Sequence, residues 1–281
     1  MQGLSILANV LSFTVAALAA VLYAKLLYRA GMKLDSKSAF RHIRCVLACV
    51  VLLALANVGN IVFGMAPNLS WSLPVFVEYH QLRATWLITR LCTVFIFLSI
   101  SILAIRTRHR ERVKLVFAAV VVIAAIEWTF WRAARPIYAS LEEKMSANGV
   151  VMQSGDVSCA AASCANIATM LGVSMSERDA AELIGTTRDG TTMSQIVVGM
   201  ERRGFLCRKV TLDPSNAAMI QPPAILTVDH PATGPESHAV ALMGVADGVF
   251  EIWDPLVGKE MLSLDELRGV WRGKAMELAL P

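Results

Sequence analysis

The chain has no Cys-x-x-Cys pair and no His-Glu-x-x-His stretch among its six cysteines and five histidines, so the usual spacings for a structural or catalytic zinc are missing. It also has no Gly-x4-Gly-Lys-Ser/Thr loop, which excludes a P-loop nucleotide site. No internal repeat or low-complexity tract is present. Neither metal nor cofactor is expected. Charge is scarce as well: Asp, Glu, Lys and Arg together make 17% of the residues, and acidic residues are nearly missing from the first half. Residues 1–149 hold 16 Lys and Arg against 6 Asp and Glu, whereas residues 150–281 hold 10 against 16. The overall +4 therefore averages a basic half and an acidic half. It gives no ground for a nucleic-acid partner.

What the first half does have is long apolar runs. With 56% hydrophobic residues and a mean hydropathy of +0.55, the chain is too apolar for one soluble domain. Residues 4–24 carry no charge, and residues 45–64 are interrupted only by Asn57 and Asn60. Residues 84–105 contain Arg90, and residues 115–131 contain Glu127 near their end. Each run approaches the ~20 residues that cross a hydrocarbon core of ~30 Å. The expectation is an all-α membrane domain of four transmembrane helices over residues 1–131, embedded in the lipid bilayer.

Lys25, Arg29, Lys33, Lys37, Arg41 and Arg44 follow the first run, and Arg106, Arg108, Arg110, Arg112 and Lys114 follow the third. Basic connections stay cytoplasmic, so both termini are expected outside. Trp71, Trp86, Trp128 and Trp131 then fall at the outer interface, where indoles are favoured. The first run has no basic segment before it and no small-residue cleavage site after it, which reads as an anchor rather than a cleaved signal. The expected location is a bacterial inner or plasma membrane, with the second half on its extracytoplasmic face.

Residues 132–149 read as a linker with a short helix over 141–145. Residues 150–281 are numerous enough to bury their own core. A small-residue helix is expected from Cys159 to Gly172, a second over 176–184, and a third over 193–204. Strands are expected over 207–212, 224–228, 239–245 and 249–253, with a closing helix over 262–271. Helices followed by strands point to an α+β domain with an antiparallel sheet.

Four polar residues in this half form a chemical set. Cys159 stands at the first turn of a helix, where the positive end of the helix dipole favours a thiolate nucleophile. Gln153, six residues earlier, can donate its side-chain amide to an oxyanion beside the sulfur. His238 precedes one strand of a hairpin whose turn is signalled by Asp247-Gly248, and Asp254 follows the other. If the loop spans Ala246 to Gly248, His238 falls opposite Leu256 with Asp254 on the same facing parity. A two-residue loop would put the two side chains on opposite faces. His230 is a rival base, although its Asp229-His-Pro-Ala-Thr-Gly-Pro setting reads as a loop. Cys164 and Cys207 could form a disulfide or stand as two buried thiols.

Gln153-x5-Cys159, Asp189-Gly190-Thr191-Thr192 ahead of a helix ending at Gly204-Phe205, His238-Ala-Val and Asp254-Pro255 with Gly258 together resemble the bacteriocin-processing, double-glycine-leader cysteine peptidase family. The resemblance covers about residues 150–275. It implies a papain-like cysteine peptidase fold, with Cys159 as nucleophile, His238 as general base and acid, Asp254 as orienter and Gln153 in the oxyanion hole. It also implies a peptide or protein substrate and a separate transporter as partner.

The chain departs from the family pattern at Ala160, where glycine is usual, at Cys164, and in lacking the ATP-binding domain of transporter-linked members. The function expected is therefore a membrane-anchored cysteine peptidase that processes or matures peptides. The alternatives are a non-catalytic peptide-binding or sensor protein on the same fold, or an amidase or acyl transferase.

Overall fold

The computed structural model describes residues 134–231 and 234–281, together with scattered positions between 74 and 132. Three of the runs expected to span a membrane, 4–24, 45–64 and 84–105, lie outside the described residues, as does most of 115–131. Among the described residues no helix is long and apolar enough to cross a membrane. Residues 74–79 and 131–281 form one compact unit. Within it, residues 134–281 build three helices, then an antiparallel sheet.

Before the first helix, a one-turn 3-10 helix at Tyr138–Ser140 leads to strand β1 (Lys144–Met145), which pairs with β2 (Val151–Met152). This hairpin replaces the helix expected within 132–149. So short a charged run cannot repay helix nucleation by itself. Leu141 is instead drawn into the core, at 7% exposure, and Gly149 takes a positive φ in the turn between the strands.

Helix α1 (Cys159–Met170) is lined by Ala160, Ala161, Ala162, Ala165 and Ala168, all buried. Small side chains let its axis lie close to the sheet, and Ser163 Oγ donates to the Ala239 carbonyl at 3.0 Å. Asn166 fixes the other side. Its Oδ1 accepts from Val151 N at 2.7 Å and its Nδ2 donates to Val151 O at 3.0 Å, which pins β2 to α1. Helices α2 (Glu177–Ile184) and α3 (Met193–Arg202) each begin with a capping box, Ser176 with Asp179 and Thr192 with Gln195. They meet at Gly199, where a Cβ would stand 2.8 Å from both Ile184 Cα and Leu183 O.

The sheet follows: β3 (Leu206–Thr211), β4 (Ala224–His230), β5 (Gly234–Ala246), β6 (Val249–Asp254), β7 (Gly258–Ser263) and, after helix α4 (Leu264–Val270), β8 (Trp271–Ala279). The order is β3-β8-β4-β5-β6-β7, and the pairs are antiparallel. β7 and β8 are additions to the expected strands, and α4 is shorter than the expected closing helix because both its ends belong to the sheet. Alternation along the strands divides the core in two. Ile225, Ala239, Ala241 and Met276 face α1, α2 and α3. Leu226, Val240, Leu242 and Ala275 face the other way, with Phe250, Ile252, Trp271 and Leu267 of α4.

The register of β5 against β6 carries the most consequence. Ala246 pairs with Val249, so the loop is the two-residue Asp247-Gly248, with both residues at positive φ as a tight hairpin turn requires. That loop was expected to separate His238 from Asp254. It does not, because β5 carries one extra residue, Met243, as a bulge: Gly244 pairs with Glu251, yet Leu242 pairs with Ile252. Beyond the bulge the register is the one expected for the longer loop, and His238 and Asp254 regain a common parity.

Candidate active site

The loop 153–158 and the first turn of α1 bring Gln153 and Cys159 to one end of the sheet, where β5 and β6 deliver His238 and Asp254. His238 Nε2 lies 2.9 Å from Asp254 Oδ1, with the imidazole 4% and the carboxylate 13% exposed. The same carboxylate oxygen accepts from Leu256 N–H at 2.7 Å, so its orientation does not depend on the histidine alone. Cys159 is the other group that acts on the His238 ring, raising its pKa together with Asp254. With Nε2 committed to Asp254, Nδ1 is the ring nitrogen left for the thiol. Cys159 itself is half-buried.

The electrostatics follow from these contacts. Burial favours a neutral His238, but its hydrogen bonds to Asp254 and Cys159, and the negative charge on both, outweigh burial and raise its pKa from 6.5 to about 9. Burial pushes Asp254 upward, yet the hydrogen bonds from His238 and Leu256 N–H prevail and hold its carboxyl below the usual range. Both shifts favour an imidazolium held on a carboxylate.

Gln153 continues from β2. Its backbone N–H donates to Pro255 O at 2.9 Å, which ties it to the residue after Asp254. Its Nε2 donates to Gly155 O at 2.9 Å, while its Oε1 is buried without a hydrogen-bond partner among the described residues. The amide carries two N–H bonds, and the Gly155 contact uses one of them. Ser158, which precedes Cys159, closes the loop: its Oγ accepts from Gly155 N at 3.0 Å and donates to Gly155 O at 2.8 Å.

His230, the rival base, stands beside His238. It lies at the end of β4 with its ring centroid 5.3 Å from that of His238, a tilted neighbour of the candidate base. Cys164 and Cys207 are separate thiols. Burial pushes Cys164 far up, helped by the charges of Cys207 and Cys159, and burial with the Glu201 charge pushes Cys207 up to about 12. Neither is a nucleophile near neutral pH. Among the described residues, no group of three or more His, Cys, Asp or Glu side chains could hold a metal.

Sequence reasoning missed Glu177. It is 1% exposed, and its carboxylate accepts from Ser154 N–H at 3.0 and 3.2 Å and from Ser154 Oγ at 2.7 Å. An acid in the first turn of a helix reads as a favourable dipole interaction. Only its burial reveals that it also reaches the neighbour of Gln153.

Residues 147–280 match the Peptidase C39 family. An uncharacterized protein of Methanothermobacter thermautotrophicus is 26% identical over 132 residues, covering 47% of this chain and 89% of that protein. Two solved structures are similar to about half of the chain. One is the peptidase domain of Streptococcus ComA, a bi-functional ABC transporter involved in a quorum sensing pathway, with 26% identity, a TM-score of 0.42 and coverage of 47% of this chain and 97% of that one. The other is a double glycine motif protease from an AMS/PCAT transporter in complex with the leader peptide, with 20% identity, a TM-score of 0.43 and coverage of 47% and 91%.

Proposed function

We propose that residues 147–280, which match the Peptidase C39 family, are a cysteine peptidase domain, and that the chain is a membrane-anchored enzyme hydrolysing peptide bonds with Cys159, His238, Asp254 and Gln153. The observation that carries the residue assignment is the buried 2.9 Å contact between His238 and Asp254.

The Cys159 thiolate attacks the scissile carbonyl carbon, forming a C–S bond as the carbonyl electrons move to oxygen. The second Gln153 Nε2–H and the backbone N–H groups opening α1 stabilise that oxyanion. As the intermediate collapses, the C–N bond breaks and imidazolium His238 protonates the departing amine. Neutral His238 then takes a proton from water, whose oxygen attacks the thioester carbonyl. The C–S bond breaks, the acid product leaves, and the thiolate returns. Asp254 holds the ring so that Nδ1 faces sulfur throughout.

The four charge-poor runs before residue 132 support a bilayer anchor, and the basic connections support an extracytoplasmic peptidase face. The proposed substrate is a peptide or protein that the enzyme processes or matures, with a separate transporter as a candidate partner. The test incubates the detergent-solubilised full chain with a synthetic peptide containing an internal Gly-Gly and compares it with Cys159→Ala. Cleavage by the native chain, abolished in the variant, is expected. Undiminished cleavage by Cys159→Ala would refute the assignment. A reporter fused after Pro281 and found active only in the cytoplasm would reverse the sidedness.

A further inference from the structure

The loop presenting Gln153 is gripped by a carboxylate that the reaction above does not use. Glu177 opens α2, but Ser176 and Asp179 already cap that helix, so capping does not account for it. A buried carboxylate is costly unless well hydrogen-bonded, and the contacts that offset the cost here converge on one residue, Ser154. Ser154 directly follows Gln153. Its hydroxyl is itself held between two elements, donating to Glu177 and accepting from Glu142 N–H at 3.0 Å. Glu142 belongs to the segment ahead of β1, outside the family-matched residues. Leu141 of that segment packs under the same loop, where a Cβ on Gly155 would stand 3.0 Å from Leu141 Cδ2. The Gln153 backbone is thus fixed on one flank by Pro255 and on the other by a Glu177–Ser154–Glu142 clamp.

We propose that Glu177 is a positioning residue for the oxyanion donor: through Ser154 it fixes the backbone from which the Gln153 amide reaches the reacting carbonyl. The inference rests on the oxyanion role proposed for Gln153. Oxyanion donors act through preorganisation, so a loosened backbone at residue 154 lowers the rate of any step that develops an oxyanion and spares steps that do not.

Two small reagents separate those cases in the full chain. Acetylation of Cys159 by p-nitrophenyl acetate forms a C–S bond at a carbonyl and passes through an oxyanion, expelling p-nitrophenolate with the ester electron pair. Alkylation by iodoacetamide displaces iodide at a saturated carbon and makes no oxyanion. Both are measured as the difference from Cys159→Ala. Glu177→Ala is expected to slow acetylation about tenfold while alkylation changes by less than about twofold, and Glu177→Gln, which keeps an acceptor for Ser154 N–H, to restore most of the loss. In a Gln153→Ala background, Glu177→Ala is expected to add less than about twofold, since the donor it positions is gone.

Equal slowing of both reactions, or losses that multiply in the double variant, would overturn the proposal. Should Glu177→Ala fail to fold, Ser154→Ala removes the clamp's hydroxyl and is expected to slow acetylation about threefold with alkylation unchanged. Unchanged acetylation there would equally overturn it. Gln153→Ala acetylating at the native rate refutes the oxyanion role together with this inference. Cys159→Ala acetylating like the native chain refutes the nucleophile instead.

Discussion

Replacing Asp254 by asparagine isolates the charge on the candidate orienter. The side-chain oxygen that faces His238 also accepts from Leu256 N–H, so an asparagine there keeps its oxygen toward the ring and the tautomer is preserved. What is lost is the negative charge. His238 rises from 6.5 to about 9 against the opposing effect of burial, which amounts to about 3 kcal/mol in favour of the imidazolium at ~1.4 kcal/mol per tenfold change. Without the carboxylate, burial faces only the contribution of Cys159. The pKa is then expected to fall by roughly two pH units, leaving the ring only about half protonated at pH 7.

The assay is the pH profile of peptide cleavage, with His238 ring-proton titration as a second readout. The native enzyme is expected to lose activity as pH rises through about 9. The Asp254→Asn variant is expected to have its alkaline limb displaced by about two units toward acid, so that at pH 7 it runs at about half its own acid-side rate. A limb that stays near 9 in the variant would show that Asp254 does not control the ring, and the reasoning from the 2.9 Å contact would fail.

The same ionisation enters stability. Because His238 is raised in the folded state, its contribution is complete below about 6.5 and is lost as pH climbs through about 9. Calorimetric unfolding temperatures should therefore fall over that window in the native chain and fall less in His238→Gln. Gly199→Ala forces a Cβ to within 2.8 Å of the α2 backbone. It should cost about 1–3 kcal/mol, read by denaturant unfolding. Asn166→Ala breaks both bonds to Val151 and leaves buried backbone groups unpaired, a loss of about 2–4 kcal/mol. If that variant matches native stability, β2 is not held by Asn166.

Much of the catalytic half could be read from residue spacing, and its errors have identifiable causes. Small side chains after Cys159, the Ser176 cap and the Asp247-Gly248 turn are local signals, and each produced the element expected of it. Register was harder. The turn signal was right and the inference from it was wrong, because an unpaired residue sat within β5 rather than in the loop. Gly244, isolated in an apolar strand beside the bulge, was the available hint.

Residues 141–145 failed as a helix because Leu141 had a core position to fill, a tertiary demand that five residues of pattern do not show. β8 was hidden for a similar reason. Trp271 and Met276 are fully buried, on opposite sides of the sheet, so the strand lacks the simple alternation of a half-exposed one. Glu177 was invisible as anything but a helix-start acid until its burial and its contacts with Ser154 were known.

The most direct test follows modification of all six cysteines of the native chain by iodoacetamide at pH 7, by mass spectrometry, with peptide cleavage recorded in parallel. Cys159 is expected to react first, and cleavage to disappear in proportion to its occupancy, while Cys164 and Cys207 stay unmodified in the folded protein. Earlier modification of Cys164 or Cys207, or cleavage that persists once Cys159 is fully alkylated, would contradict the assignment of Cys159 as the nucleophile.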